Sequence, residues 1–509
     1  MVNAEKFRNI FLSYLNNKTS KKDYFIFLPD EKLLESTAET PNNFLETLKE
    51  KLKKTPPSYL YKLGHKSQTK SFDVNDLLKT LQHRPITFVI FPGFMSEFIE
   101  TKTLQEVFRE NLEFGEDFYQ SELKDKNNNI LIKYLLFKTP PMSFATIGDT
   151  RENAMDFIER LERFFSVNGV PENIVFLGYS RGTMIALDVL ALFMQRKSPW
   201  LKNIKGMVSL GGVVFGSDLV DEVFRSPADR EILLLKELGN KLKIPKNLET
   251  LSVSNTPLKK YFWEWVTKKR VISKDDILIL KQNAQAWYSF AKEIKQSPLD
   301  WSLFEIMLSG FKRGEETHHK ENLKLLIKIL GQEFGLKNFF SDHSKNIIRF
   351  KDFINKLAIS LEQMTTQKRL QWWQTNEVPT QGIRYYSVVS VFVDPLDSKR
   401  LSKHSPPYNQ KLLDYKFSLR NYRHLRKISQ VKLNDSQMTF EKAIFLPELI
   451  KLLNPKQPPL STCLLGVLGT HHWGMAIPIV MKMKDGSLDP FPREILLKSI
   501  ATSIAIDLQ

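Results

Sequence analysis

The segment Gly178-Tyr179-Ser180-Arg181-Gly182 places one serine between two glycines. The β-branched and apolar run Ile174–Leu177 precedes it, and an Ala/Leu/Met-rich stretch, Thr183–Gln195, follows at once. A strand that turns sharply into a helix holds a serine hydroxyl out of the sheet, and only small neighbours fit so tight a reversal. The helix N-terminus behind such a serine carries N–H groups that lack intrahelical partners and can meet a developing oxyanion. The implied chemistry is attack by Ser180 on an acyl carbonyl. A serine alone is a weak nucleophile, so a base and an orienting carboxylate are also expected.

With both flanks in place, the chain resembles the α/β-hydrolase superfamily, and within it the lipase/esterase-like branch, over about 84–215 and 364–480. Phe88-Val89-Ile90-Phe91-Pro92-Gly93-Phe94-Met95 resembles the third strand and the oxyanion loop after it. The resemblance implies oxyanion donors at the backbone N–H groups of Phe94 and Arg181. Val208–Asp221 resembles the lipase segment G-x-P-H-x-G-S-x-x-A-D, with Val213 and Val214 in place of the Pro and His. The family order of Ser, acid, His puts the base after the last strand-like run, Leu464–Leu468. Of nine histidines only His471 and His472 lie there. Gly469-Thr470-His471-His472-Trp473-Gly474 aligns His472 with the base, and His471 is the alternative. Two acids compete. Asp394 ends the run Tyr385–Val393. Asp435, in Asn434-Asp435-Ser436 ahead of Phe445-Leu446-Pro447, resembles the lipase segment N-D-G-x-V…L-P, with Ser436 replacing the glycine. The second motif is the more specific and favours Asp435.

The elements that must hold these residues follow from periodicity. Short apolar runs at Ile86–Phe91, Ile130–Phe137, Ile174–Leu177, Gly206–Leu210, Tyr385–Phe392 and Leu464–Leu468 predict strands, several buried on both faces. Phe157, Ile158, Leu161, Phe164 and Phe165 predict one helix face, and Thr183–Gln195 a second helix. Helices are also predicted from Met364 to Trp373, with a Thr cap, and from Lys442 to Leu453. Strands alternating with helices predict an α/β fold with a mostly parallel sheet flanked by helices. Four parts are expected. Residues 1–83 form a helical, Lys-rich extension, and 84–216 the first part of the core. Residues 217–380 form a helical cap insertion rich in aromatics. Residues 381–509 form the second part of the core, carrying a basic insertion at 395–433.

Composition bounds the rest. The 509 residues are 42% hydrophobic and 26% charged, sufficient for a large core. Lys and Arg exceed Asp and Glu by 74 to 57, a net charge of +17, which favours anionic partners. The single cysteine, Cys463, excludes an internal disulfide and a Cys-rich zinc site. Glu315, Glu316, His318, His319 and Glu321 read as a solvated helix start, with adjacent histidines ill spaced for a metal. No metal, nucleotide or other cofactor is expected, since no phosphate-binding glycine motif occurs. Residues 411–432, with Arg420, Arg423, Arg426 and Lys427, carry a basic surface suited to anionic membrane head groups; nucleic acid is disfavoured. No apolar run reaches membrane-spanning length, which predicts a cytoplasmic protein, peripheral to a membrane at most, with a signal removed before residue 1 left open.

The expected function is cleavage of carboxylic esters, lipids included, by a Ser-His-Asp triad through an acyl-enzyme intermediate. Acyl transfer and polyester depolymerisation use the same triad. The contrasting reading is a non-catalytic basic membrane- or nucleic-acid-binding protein on a hydrolase fold.

Overall fold

The computed structural model describes residues 2–16, 26–27, 34–36, 38–56, 71–94, 113–114, 117–139, 146–223, 355–392, 413–475 and 492–508, with isolated positions between 237 and 352. The chain divides into two units: Met1–Asp221 with Glu362–Gln509, and Glu222–Leu361. Among the described residues, the strands all lie in the first unit.

Among the described residues, nine strands form one sheet. They are β1 (Ile26–Phe27), β2 (Ile86–Phe91), β3 (Glu113–Phe114), β4 (Phe118–Lys124), β5 (Ile130–Phe137), β6 (Ile174–Tyr179), β7 (Ile204–Leu210), β8 (Arg384–Ser390) and β9 (Thr462–Leu468). Their order is β1-β9-β8-β7-β6-β2-β5-β4-β3. The six strands from β5 to β9 are parallel. β1, β4 and β3 pair antiparallel at the two edges.

Helices cover both faces, so the central strands are buried throughout and read as unbroken apolar runs. Pleating sends alternate residues of β2 to opposite sides. Phe91 meets Phe137, Phe157 and Phe176, with ring centroids 5.1, 5.8 and 5.1 Å apart, on the side of α4 (Thr150–Asn168). Ile86, Phe88 and Ile90 join the other core. There they meet α1 (Ala4–Asn16), α3 (Val74–His83) and α10 (Arg493–Asp507) through Phe7, Phe11, Leu81, Ile500 and Ile504. The N-terminal extension thus supplies two of the three helices of this layer. Its remaining described helix is α2 (Pro41–Lys54), capped by Thr40.

The two ends of the insertion meet within the first unit. Ser217 N donates to Met364 O at 3.0 Å. Thr366 N donates to Asp221 Oδ1 at 2.8 Å, tying α6 (Asp218–Val223) to α7 (Thr366–Thr375). Gly216 lies so close that an added Cβ would stand 2.4 Å from the Thr366 Cα. The α7 helix then packs onto α5 (Gly182–Gln195) and the segment after β7. Trp372 Nε1 donates to Asp188 at 2.8 Å, and Trp373 Nε1 to Val214 O at 3.1 Å.

One expectation is corrected, and strand β4 goes unforeseen. The helix predicted from Lys442 is a 3-10 turn at Phe440–Lys442 followed by a helix, α9, only from Pro447 to Leu453. Pro447 lacks an N–H and fits the first turn of a helix, not its middle. Strand β4, next to the short edge strand β3, was hidden by its polar composition, FYQSELK, of which only Phe118 and Ser121 are buried. Among the described residues, no helix is long and apolar enough to cross a membrane.

Candidate active site

Ser180 occupies the turn between β6 and α5 with φ +53°. A non-glycine residue rarely adopts this left-handed conformation, and the surrounding packing must hold it. The neighbours explain how. A Cβ on Gly178 would stand 2.3 Å from Thr183 Cα, and one on Gly182 2.1 Å from Phe91 O. Both glycines of the motif are therefore required by close backbone approach. The Ser180 amide donates to Leu210 O at 3.2 Å, and its carbonyl accepts from Val213 N at 3.2 Å. Thr183 Oγ1 closes the turn by donating to Gly178 O at 2.8 Å.

The candidate oxyanion donors flank this turn. Gly93 packs against it: a Cβ there would lie 3.3 Å from that of Ser180. Phe94 follows at the end of β2. Arg181 is fully buried, and its guanidinium reaches away from the serine. Nη1 donates to Thr146 O and, at 3.2 Å, to Asn153 Oδ1, and Nη2 to Gly148 O at 2.5 Å.

Asp435 and His472 come together. His472 Nδ1 lies 2.7 Å from Asp435 Oδ2, and His472 N donates to Asp435 O at 2.8 Å. The other carboxylate oxygen, Oδ1, accepts from the amides of Gln437 and Met438 at 2.9 and 2.7 Å. Both residues are nearly fully buried. Tyr179 completes the clamp. Its hydroxyl donates to His472 O at 3.2 Å, and its ring lies 5.1 Å from the imidazole. Burial, with the Asp435 charge adding to it, raises the Tyr179 phenol well above its ordinary value, so it remains a donor.

Ser180 and His472 are related through Gly211, the residue after Leu210. A Cβ on Gly211 would lie 3.3 Å from His472 Nδ1. Among the described residues no hydrogen bond joins the Ser180 hydroxyl to the imidazole. Such contacts are commonly loose in ligand-free sites and tighten around substrate. His471 is turned elsewhere: its Nδ1 accepts from Gly474 N at 3.0 Å. Asp394 lies outside the described residues, as does the acid and histidine cluster at 315–321. Ser436 has φ +82°, the left-handed conformation that explains why the motif it resembles carries glycine there.

A buried ionic cluster sits behind the acid loop, and sequence reasoning missed it. Lys442 Nζ donates to Asp218 Oδ1 at 2.8 Å, Asp221 Oδ2 at 3.1 Å and Thr366 Oγ1 at 2.6 Å. Thr439 Oγ1 donates to Asp218 Oδ2 at 2.9 Å. Burial alone would lower the Lys442 ammonium; Asp218 and Asp221 outweigh it and hold the pKa above its ordinary value. The adjacent Glu441 is different. Burial, and then the Asp218 carboxylate, push it up to about 7. Between pH 4.5 and 7 the unfolded chain has lost this proton while the folded chain keeps it, so stability falls as pH rises through that window and then levels. Glu441→Gln should therefore be more stable than wild type at pH 8, by on the order of 3 kcal/mol, and nearly equal at pH 5. Urea unfolding at the two pH values checks this, and a pH-independent difference contradicts it.

In α8 (Leu413–Ser429), Tyr422, Leu425 and Ser429 are buried, whereas Arg423 and Lys427 are exposed and Arg426 is half-buried. Arg420 falls in the same helix.

No family model matches the sequence, and no curated protein matches it. Solved structures do. A carboxyl esterase from a metagenome is similar over 83% of this chain and 76% of its own, at 15% identity and TM-score 0.37. A juvenile hormone epoxide hydrolase from the silkworm Bombyx mori is similar over 82% and 69%, at 11% identity and TM-score 0.26. A peroxisomal α/β-hydrolase from Saccharomyces cerevisiae is similar over 70% and 82%, at 12% identity and TM-score 0.24. The parallel sheet flanked by helices, and the left-handed serine where β6 turns into α5, make this chain an α/β fold with a sharp strand–turn–helix elbow at Ser180.

Proposed function

We propose that the protein is a serine hydrolase of carboxylic esters. The observation that carries this reading is the Asp435–His472 pair, 2.7 Å apart, held beside a serine in left-handed conformation at a strand-to-helix turn. In this reading His472 Nε2 takes the Ser180 proton as Oγ attacks the acyl carbonyl. The imidazolium that forms is stabilised by Asp435, whose own position is fixed by two backbone amides. The N–H groups of Phe94 and Arg181 receive the oxyanion. His472 then protonates the leaving alcohol, giving an acyl-enzyme that water, or an acceptor alcohol in acyl transfer, resolves through the same groups in reverse. A fluorophosphonate probe tests the reading, because it labels an activated serine and ignores an idle one. Labelling at Ser180 together with hydrolysis of short p-nitrophenyl esters is expected. Absence of both points to the non-catalytic alternative.

The basic face of α8 supports a second proposal, docking to an anionic membrane surface. The helix buries Tyr422 and Leu425 while exposing Arg423 and Lys427, and it ends just before the acid loop. Binding to vesicles rich in phosphatidylserine should weaken as salt rises to physiological strength. Replacing Arg420, Arg423, Arg426 and Lys427 with Gln should weaken it further, while hydrolysis of a small neutral ester is unchanged. Equal binding to neutral vesicles contradicts the proposal.

A further inference from the structure

Sequence reasoning assigns Arg181 only a backbone role, which any residue type could fill. The structure gives its side chain an unexpected place. A guanidinium with no solvent exposure sits one residue after the serine. Burying a cation is costly, and an apolar side chain of similar volume would stabilise the fold as well or better. The arrangement of its acceptors suggests what the cation does instead. Thr146 O and Gly148 O belong to the loop that leads from β5 into α4, and Asn153 Oδ1 to the first turn of α4. The planar guanidinium meets all three in fixed directions, which a flexible ammonium cannot reproduce. Asn153 is itself anchored, its Nδ2 donating to Ile147 O at 3.1 Å. The loop is pinned from its far side as well. Asp149 caps α4 and accepts from Gln363 Nε2 at 2.5 Å, and Thr150 N donates to Gln363 Oε1 at 2.9 Å.

We propose that the Arg181 side chain is a positioning residue for oxyanion stabilisation: its fork on Thr146, Gly148 and Asn153 fixes the backbone of residue 181, whose own N–H receives the negative charge. The inference rests on the serine-hydrolase reading and extends it. Two facts make the backbone here worth fixing. Ser180 is held in a sparsely populated conformation, and a strained residue relaxes unless its neighbours are immobile. An oxyanion donor also acts only when it is already aimed at the position the charge will occupy, so a small rotation of the 180–181 peptide weakens the transition state more than the ground state.

Arg181→Lys keeps the charge and removes the fork. Its kcat should fall about 10–100-fold with KM changed less than threefold. Affinity for an alkylboronic acid, which forms a tetrahedral adduct on the serine, should fall by the same factor as kcat. End-point fluorophosphonate labelling counts intact sites, so turnover is expressed per labelled serine. A purely structural role would lower the number of labelled sites and leave turnover per site at the wild-type value, and that result overturns the inference. Asn153→Ala removes one acceptor and serves if the Arg181 variant fails to fold. It should lower kcat per site about 3–10-fold, and wild-type turnover there counts equally against the inference. Absence of labelling in the wild-type protein removes the hydrolase reading and this inference together, whereas wild-type turnover in Arg181→Lys removes this inference alone.

Discussion

Ser180→Ala is expected to lower ester turnover by about 10⁴–10⁶-fold and to abolish fluorophosphonate labelling. The expectation rests on how little else the hydroxyl does. Among the described residues it has no hydrogen-bond partner, so its removal leaves no group in the fold unsatisfied. The turn is held by other contacts: the amide to Leu210 O, the carbonyl from Val213 N and the close approach of Gly178 and Gly182. Alanine at φ +53° bears much the same backbone strain as serine. The melting temperature should therefore move by no more than a few degrees while activity disappears. Turnover near the wild-type rate would move the nucleophile elsewhere.

Asp435→Asn is expected to cost about 10²–10⁴ in kcat with folding preserved. The direction follows from the donors around the carboxylate. Gln437 N and Met438 N both donate to Oδ1, so an asparagine must turn its carbonyl oxygen toward them. Its NH2 group then faces His472 Nδ1 and donates to it. That forces the imidazole into the tautomer with the proton on Nε2, where it cannot accept the proton of Ser180. The backbone amides thus select the inactive tautomer, and the loss should be in kcat more than in KM. Asp435→Ala should be worse for stability, because it leaves the amides of Gln437 and Met438, the second of them buried, without their acceptor. Asp394→Asn is expected to keep most activity. Steady-state kinetics on the three variants decides the acid: a larger loss from Asp394→Asn would reassign it.

The strands that position Ser180 were legible because they are buried on both faces. Ile86–Phe91 and Ile174–Leu177 are nearly unbroken apolar runs, and both lie in the middle of the sheet. Strands near the sheet's margin lose that signal, since their faces are only partly covered and polar residues are tolerated. β4, with just Phe118 and Ser121 buried, was missed for this reason, and the two-residue strands β1 and β3 are too short to show any periodicity. The approach of Asp435 to His472 was anticipated from motif resemblance, not from periodicity. Their contact spans 37 positions of chain, and no local pattern encodes it. Glu441 and the Arg181 side chain were invisible for a different reason. In sequence both look like ordinary surface charges, and only tertiary burial makes the first a retained proton and the second a fork on three acceptors. At Ser436 the departure from glycine was visible, but its meaning was not until the positive φ was seen.

The closure between Ser217 and Met364, reinforced by Asp221 and Thr366, has an entropic consequence. Once these four residues are joined, whatever lies between Asp221 and Glu362 is a closed loop as far as the folding core is concerned. The cost of closing a flexible loop grows only with the logarithm of its length, by about 0.6 kcal/mol for each doubling. The core is therefore almost indifferent to how many residues hang from that doorway. A longer, shorter or exchanged intervening segment would change this closing cost little, while the residues proposed to carry the chemistry all belong to the first unit.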